Sequence, residues 1–469
     1  MFDLQGKIHD RYTLELKVGY GAASASADTN TMILDAWFFF PDALYLNSET
    51  YPKATVYRDV RSMVRIITPV FSLSELADPE QLPLRRLTKW CKLVVESQTA
   101  RHCQMYEHQV KMFCNITRSA IRDADISAGK LLSQLSSVLT TYRQLPEQTG
   151  LDSLPSDLRT IFRLGDEYIS RVACTKVITL LRNAQEQERD EINKWMEREL
   201  EYERGQGYQL PREGMDKVNR MFLHRAGQLK KYVESDLYIL VHEHNNTFYL
   251  QQLFFMLVAG LSMVFATIIS FSFQQSFGNF TVELFVALTI SYMFKDRIKG
   301  LGQQWFATKA GSKFFDYKTN LAFRGERIGW RKTGTSFVRH KDLPAEVKAL
   351  RGRTSTLEAG NSAISESVLI YRQRLALYKH RLASLSHYPL SGVNEIIRIN
   401  LREFLRRMDS SHTTVYDFQG ADNVKSLQAE KVYYVHLIVR AVYDSKTSFH
   451  HLRLGLTRRG LIELKALPV

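Results

Sequence analysis

Five side chains suited to metal or acid–base chemistry crowd one stretch: His102, Cys103, Glu107, His108 and Cys114. On a helix Cys103, Glu107 and Cys114 would share a face, at separations of four and eleven. Zinc sites bring ligands together in tighter pairs such as Cys-x-x-Cys. This cluster therefore reads as core and surface residues, and no metal is expected. His242-Glu243-His244 is a second cluster. Read as helix, its two imidazoles point apart and cannot hold one ion, which leaves an interfacial pair titrating near neutral pH. Gly19-Tyr20-Gly21 follows a strand but lacks the third glycine of a dinucleotide loop, and reads as a hairpin turn. GxxxxGK[ST], GxSxG and HExxH are all missing. No catalytic residue and no cofactor is expected.

Charge carries more information than these motifs. The 469 residues hold 63 Lys and Arg against 49 Asp and Glu, a net of +14. From Lys295 onward the count is 31 against 15, a local net of +16, leaving −2 for the preceding part. Such a surplus attracts anionic lipid or nucleic acid. Val393, Ile396, Ile397, Leu401, Phe404, Leu405 and Met408 recur at helical spacing, and Arg398, Arg402 and Arg406, with Arg407 beside them, would line the polar side of that helix. This ridge is either a solvated face or a contact for lipid head groups. Lipid is preferred to nucleic acid because a membrane segment precedes it.

That segment lies within Asn245–Val282, 38 residues without Asp, Glu, Lys, Arg or His. Leu253–Phe273 is 21 residues long, roughly 31 Å as a helix, enough for a bilayer. Phe277–Phe294 is a second apolar run broken only by Glu283, an intramembrane or interfacial carboxylate. Together they read as a transmembrane helical hairpin. Ser262, Ala266 and Ser270 on the first helix, and Ala287 and Ser291 on the second, are small residues four apart. They would pack the two spans together or build a homo-oligomer. Lys295, Arg297 and Lys299 flank the second run while the connecting loop has no basic residue, so both termini are expected in the cytoplasm, as in a bacterial inner-membrane protein. The start Met1-Phe2-Asp3-Leu4-Gln5 does not resemble a secretory leader, and the four cysteines are expected as free thiols.

The elements that would carry these groups follow from periodicity. Tyr12–Val18 and Met32–Phe40 read as strands, and Thr50–Ile66 as a short helix. Residues 83–244 read as helical, with Gln185–Arg204 a charged stalk or coiled coil and Glu213–His244 a helix running into the first span. Lys431–Tyr443, Phe449–Thr457 and Leu461–Leu464 read as a β-meander. The expected fold is an α+β membrane protein, predominantly helical. It has a β-rich cytoplasmic domain (1–77), a helical region and stalk (78–250), a two-helix hairpin (251–296) and a basic α+β domain (297–469).

The layout of β-rich domain, long helices, span, short loop and span is similar to CorA-type magnesium channels. Here Gly278-Asn279-Phe280 stands where their loop carries Gly-Met-Asn, and the long domain after the second span has no counterpart. The resemblance implies an oligomeric ion channel or transporter subunit. The residues themselves favour a membrane-tethered scaffold, sensor or regulator with a cytoplasmic protein partner. A membrane-anchored enzyme is the third class.

Overall fold

In the computed structural model the described residues are 2–21, 29–278, 281–305, 315–352, 366–385, 388, 392–408, 411–418, 424–443 and 446–469. The chain divides into two compact units, one of residues 1–64, 239–387 and 393–469, the other of 65–238 and 388–392. Residues 1–64 of the expected β-rich domain and most of 297–469 thus belong to a common unit, while 65–77 fall in the other.

The first unit is built on sheets. Strands β1 (Phe2–Asp10) and β2 (Thr13–Gly21) form a hairpin turned at Arg11-Tyr12. Strict alternation buries Leu14, Leu16, Val18 and Tyr20 on one face of β2. Gly19-Tyr20-Gly21 is therefore strand, not turn. Strand β3 (Thr29–Pro41) is apolar on both faces, with Met32, Leu34 and Ala36 through Phe40 buried, as a central strand requires. Helix α1 (Lys53–Asp59) covers less than half of the expected Thr50–Ile66 helix. The remainder is strand β4 (Val60–Ile66).

The second unit is a helical bundle of α2 (Leu73–Leu76), α3 (Leu82–Glu96), α4 (Ala100–Asp123), α5 (Ala128–Thr149), α6 (Ser156–Asn183), α7 (Glu186–Gly205) and α8 (Asp216–Glu234). Helix α4 is buried almost continuously from Tyr106 to Thr117. Tyr142 stacks on Phe162 with ring centroids 4.3 Å apart. Helix α7 is not a stalk: Ile192, Trp195, Met196, Glu199 and Glu203 are buried in the bundle. The narrow apolar stripe is completed by two carboxylates that find partners inside the bundle.

The chain then returns to the first unit through β5 (Leu240–Asn245), so α8 does not run continuously into the apolar segment. Helices α9 (Asn246–Phe277) and α10 (Val282–Trp305) follow. Strands β6 (Tyr317–Phe323) and β7 (Glu326–Val338), helix α11 (Ala345–Gly352), strand β8 (Glu366–Tyr378) and helix α12 (Lys379–Leu385) come next. Strand β9 (Gly392–Asn400) and the short helix α13 (Arg402–Arg406) replace the expected amphipathic helix. Strands β10 (His412–Phe418) and β11 (Val424–Glu430) pair only with each other. Strands β12 (Tyr433–Tyr443), β13 (Lys446–Thr457) and β14 (Gly460–Leu467) end the chain.

One sheet runs β14-β13-β12-β3-β8-β7-β6-β5 and is antiparallel throughout; another runs β1-β2-β9-β4. In the eight-stranded sheet the central strand β3 pairs Phe39 with Val368 on one side and with His436 on the other.

The expected fold class is corrected. The protein is a mixed α/β structure with large sheets, not a predominantly helical two-span membrane protein. Among the described residues one helix alone, Gln251–Ser276, is long and apolar enough to cross a membrane. The second run fails because α10 continues from Phe294 directly into Lys295, Asp296, Arg297 and Lys299.

Candidate functional site

The most unusual surface of the first unit is the α9–α10 pair. Apolar residues surround α9, and the Gln251–Ser276 stretch has a mean hydropathy of 2.3 with only 11% of its apolar window buried. Core helices of soluble proteins are mostly covered. This one leaves Leu257, Leu261, Ile268 and Phe271 exposed, and α10 adds Phe285 and Met293.

The strand that precedes α9 pairs with the first strand that follows α10. Asn245, just before α9, pairs with Tyr317 in β6, twelve residues after the end of α10. The helices run antiparallel: Phe254 stacks on Trp305 at 6.0 Å, Gly302 faces Val258, and Ser291 Oγ donates to the Ala266 carbonyl at 3.4 Å. A Cβ added at Gly302 would stand 2.5 Å from Val258 Cγ1, so glycine permits this close approach. Ser262, Ala266, Ala287 and Ser291 are buried along the seam, while Ser270 is half-buried and returns its hydroxyl to the Ala266 carbonyl at 2.9 Å.

These contacts fix a register with an electrostatic consequence. Lys295 lies level with about Met263, the middle of the Gln251–Ser276 run. If α9 crossed a bilayer, α10 would carry Lys295, Asp296, Arg297 and Lys299 into its centre. Each costs about 2.5–3.5 kcal/mol there, on the order of 10–14 kcal/mol together. The two-span arrangement fails on this register. Glu283 is exposed in the first turn of α10, close to the connecting loop, and lines an apolar groove of about 600 Å³ with Phe265, Phe273 and Phe294. Asn279 and Phe280 of the Gly278-Asn279-Phe280 loop lie outside the described residues, as do the side chains of His242, Glu243 and His244.

The four arginines do not make a ridge. Arg398 sits on β9 and donates to Glu15 Oε2 at 2.8 Å, alongside Lys7. Burial opposes the charge on Glu15, but hydrogen bonds from Lys7 and Arg398 outweigh it and hold the carboxyl below its usual range. Arg402 lies over the Tyr12 ring at 5.0 Å, Arg406 pairs with Glu403, and Arg407 donates to the Thr50 carbonyl at 2.7 Å. Three of the four are thus tied to other elements of the fold. The expected helix fails because Val393, Ile396, Ile397 and Ile399 are β-branched and buried on both faces of a strand.

Residues without a conspicuous local pattern build the polar centre of this unit. Glu395 is fully buried and accepts from Tyr20 Oη at 2.9 Å, Arg331 Nη1 at 3.1 Å, Gln373 and Ser62. Burial, reinforced by the Glu395 charge, raises the Tyr20 hydroxyl far above its usual range. Asp316 likewise accepts from Lys53, Tyr57 and the Thr335 amide. Donors from four strands surround Glu395 and lock sheets together, while Asp316 ties helix α1 to β7.

In the second unit, His108 Nδ1 lies 2.5 Å from Asp236 Oδ2, and Cys114 is buried with its thiol pushed up by burial. Cys103 is half-buried and His102 faces Ser97. Among the described residues no group of three His, Cys, Asp or Glu side chains is arranged to hold a metal ion. A polar pocket of about 340 Å³ is lined by Arg163, Glu167, Tyr208 and Arg225, and Glu167 already pairs with Arg171 and Arg225.

No protein-family model, curated protein or solved structure matches this chain.

Proposed function

We propose that this protein is a membrane-attached scaffold or regulator, held to lipid by the α9–α10 pair and presenting its two folded units to a partner on one side of the membrane. The observation that carries this reading is the long apolar helix α9, left exposed along most of its length. The pairing of β5, before α9, with β6, the next strand after α10, supports one-sided attachment. The basic surplus after Phe294 adds attraction to an anionic surface. The carboxylates that could serve as acids or bases are largely enclosed in ion pairs, which favours a binding role over catalysis.

The test is flotation of the full-length protein with vesicles of phosphatidylglycerol and phosphatidylethanolamine. Co-flotation that persists after removal of detergent is the expected result. A protein that stays at the bottom as a detergent-free, monodisperse oligomer would mean that copies of the chain cover α9 instead.

A further inference from the structure

We infer that the α9–α10 pair enters one leaflet only, and that lipid takes up its distal half, Val264–Ser276 of α9 and Val282–Phe294 of α10. Lys295, Arg297 and Lys299 then meet the anionic head-group phosphates. This rests on the membrane reading above and adds its depth and geometry.

Three observations converge. The apolar stretch shared by both helices is short: Val282–Phe294 is 13 residues, roughly 20 Å at about 1.5 Å per residue, against a hydrocarbon core of roughly 30 Å. It overreaches one leaflet slightly and falls well short of two. Immediately above it Arg297 and Lys299 are exposed and Lys295 is half-buried, its Nζ 3.7 Å from the Tyr292 ring centroid. A Tyr–Lys pair at that level has the amphipathic character of the membrane interface. Finally, Asn245, next to the start of α9, pairs with Tyr317, twelve residues beyond α10, so the chain leaves and rejoins the sheet at one edge and the insert enters and leaves on one side.

The alternatives differ in the ionisable groups that they place in hydrocarbon. Full insertion carries in Lys295, Asp296, Arg297 and Lys299 as well as Glu283. Insertion of the distal half carries in Glu283 alone. The shallow arrangement has the lower electrostatic cost. The proximal half of α9 stays at head-group level, with Phe254 against Trp305 and Val258 against Gly302, and with Leu253, Met256, Leu257 and Leu261 left exposed there.

The experiment places a nitroxide at Ser276, an exposed position near the tip, as S276C on a C103S background, since the other three cysteines are buried. Full-length protein on phosphatidylglycerol vesicles is exposed to oxygen and to a water-soluble nickel chelate, added outside or trapped inside. The expected result is co-flotation with strong oxygen relaxation and no nickel relaxation from either side. Relaxation by trapped nickel alone would establish a full crossing and overturn the shallow insert, as would relaxation by external nickel on floated vesicles. Loss of flotation would overturn the membrane reading itself. Changing Lys295, Arg297 and Lys299 together to Gln should weaken binding to these vesicles roughly 100-fold, about five-fold per charge, with the fold retained by circular dichroism. Unchanged binding would overturn the head-group contact.

Discussion

Glu203 Oε1 lies 2.6 Å from Ser170 Oγ, whose hydroxyl also lies 2.5 Å from Glu199 Oε1. A serine has one proton to donate, so two short contacts to carboxylates require a second proton. Glu199 is already held by both terminal nitrogens of Arg143. Ser170 Oγ is within donating distance of both carboxylates, and Glu203, which lacks the bonds from Arg143, is the one that protonation favours. Burial raises the Glu203 carboxyl above its usual range, and Glu199 adds to the shift against the opposing bond from Ser170 and attraction from Arg171 and Arg143.

The sign of the pH dependence follows. A carboxyl raised on folding contributes stability that is full below its unfolded value and is lost as pH rises through its folded value. Glu203→Gln keeps a donor for Ser170 and removes the titration. It should raise stability at neutral pH by on the order of 1 kcal/mol and flatten the loss on the alkaline side of the transition. Urea unfolding between pH 4 and 8 measures both, and an unchanged pH slope would refute the assignment.

The buried pair His436 and His451 predicts the opposite sign. Their ring nitrogens are 3.0 Å apart, and burial, aided by the Arg351 charge, lowers His436 to about 3 and His451 to about 4. Stability should be full above about pH 6.5, the ordinary value, and fall as the solution is acidified toward these folded values. The slope is about 1.4 kcal/mol per pH unit for each ring. Thermal melts from pH 7 to 4.5 should show the loss, and a double Gln variant should reduce it.

Gly165 predicts a steric effect. An added Cβ would lie 2.3 Å from Tyr142 Oη and 2.9 Å from Val110 Cγ1. Gly165→Ala should therefore destabilise the bundle by about 1–3 kcal/mol, measured by chemical denaturation. A stability equal to that of the parent would show that Tyr142 can swing clear.

The position of β3 governs fragments. A Lys309–Val469 fragment lacks the strand between β8 and β12 and should not fold by itself. Circular dichroism and limited proteolysis would reveal this, and adding a peptide of residues 26–44 should restore structure if the missing strand is the cause. A cooperatively folded fragment without that peptide would contradict the prediction.

Much of the local structure was open to reading because its cause is local. Alternation in Tyr12–Val18 marks a strand with one buried face, and the uninterrupted apolar run of α9 marks a helix. Val393–Met408 misled because its apolar spacing suits a helix while its Val and Ile residues suit a strand. Packing on both faces decided between them. Glu203 spoke only as another charge in Gln185–Arg204, since its burial depends on Ser170 from a different helix.

By itself the sequence determined that a long apolar segment exists, that the positive surplus follows it, and where several strands begin. Tertiary structure alone decided that β3 joins strands more than 300 residues away, that Arg398 serves Glu15, and that Lys295 stands beside the middle of α9. Hydropathy is a property of one segment and survives reading along the chain. Register, ion pairing and depth are relations between segments, and they are fixed only when packing brings those segments into contact.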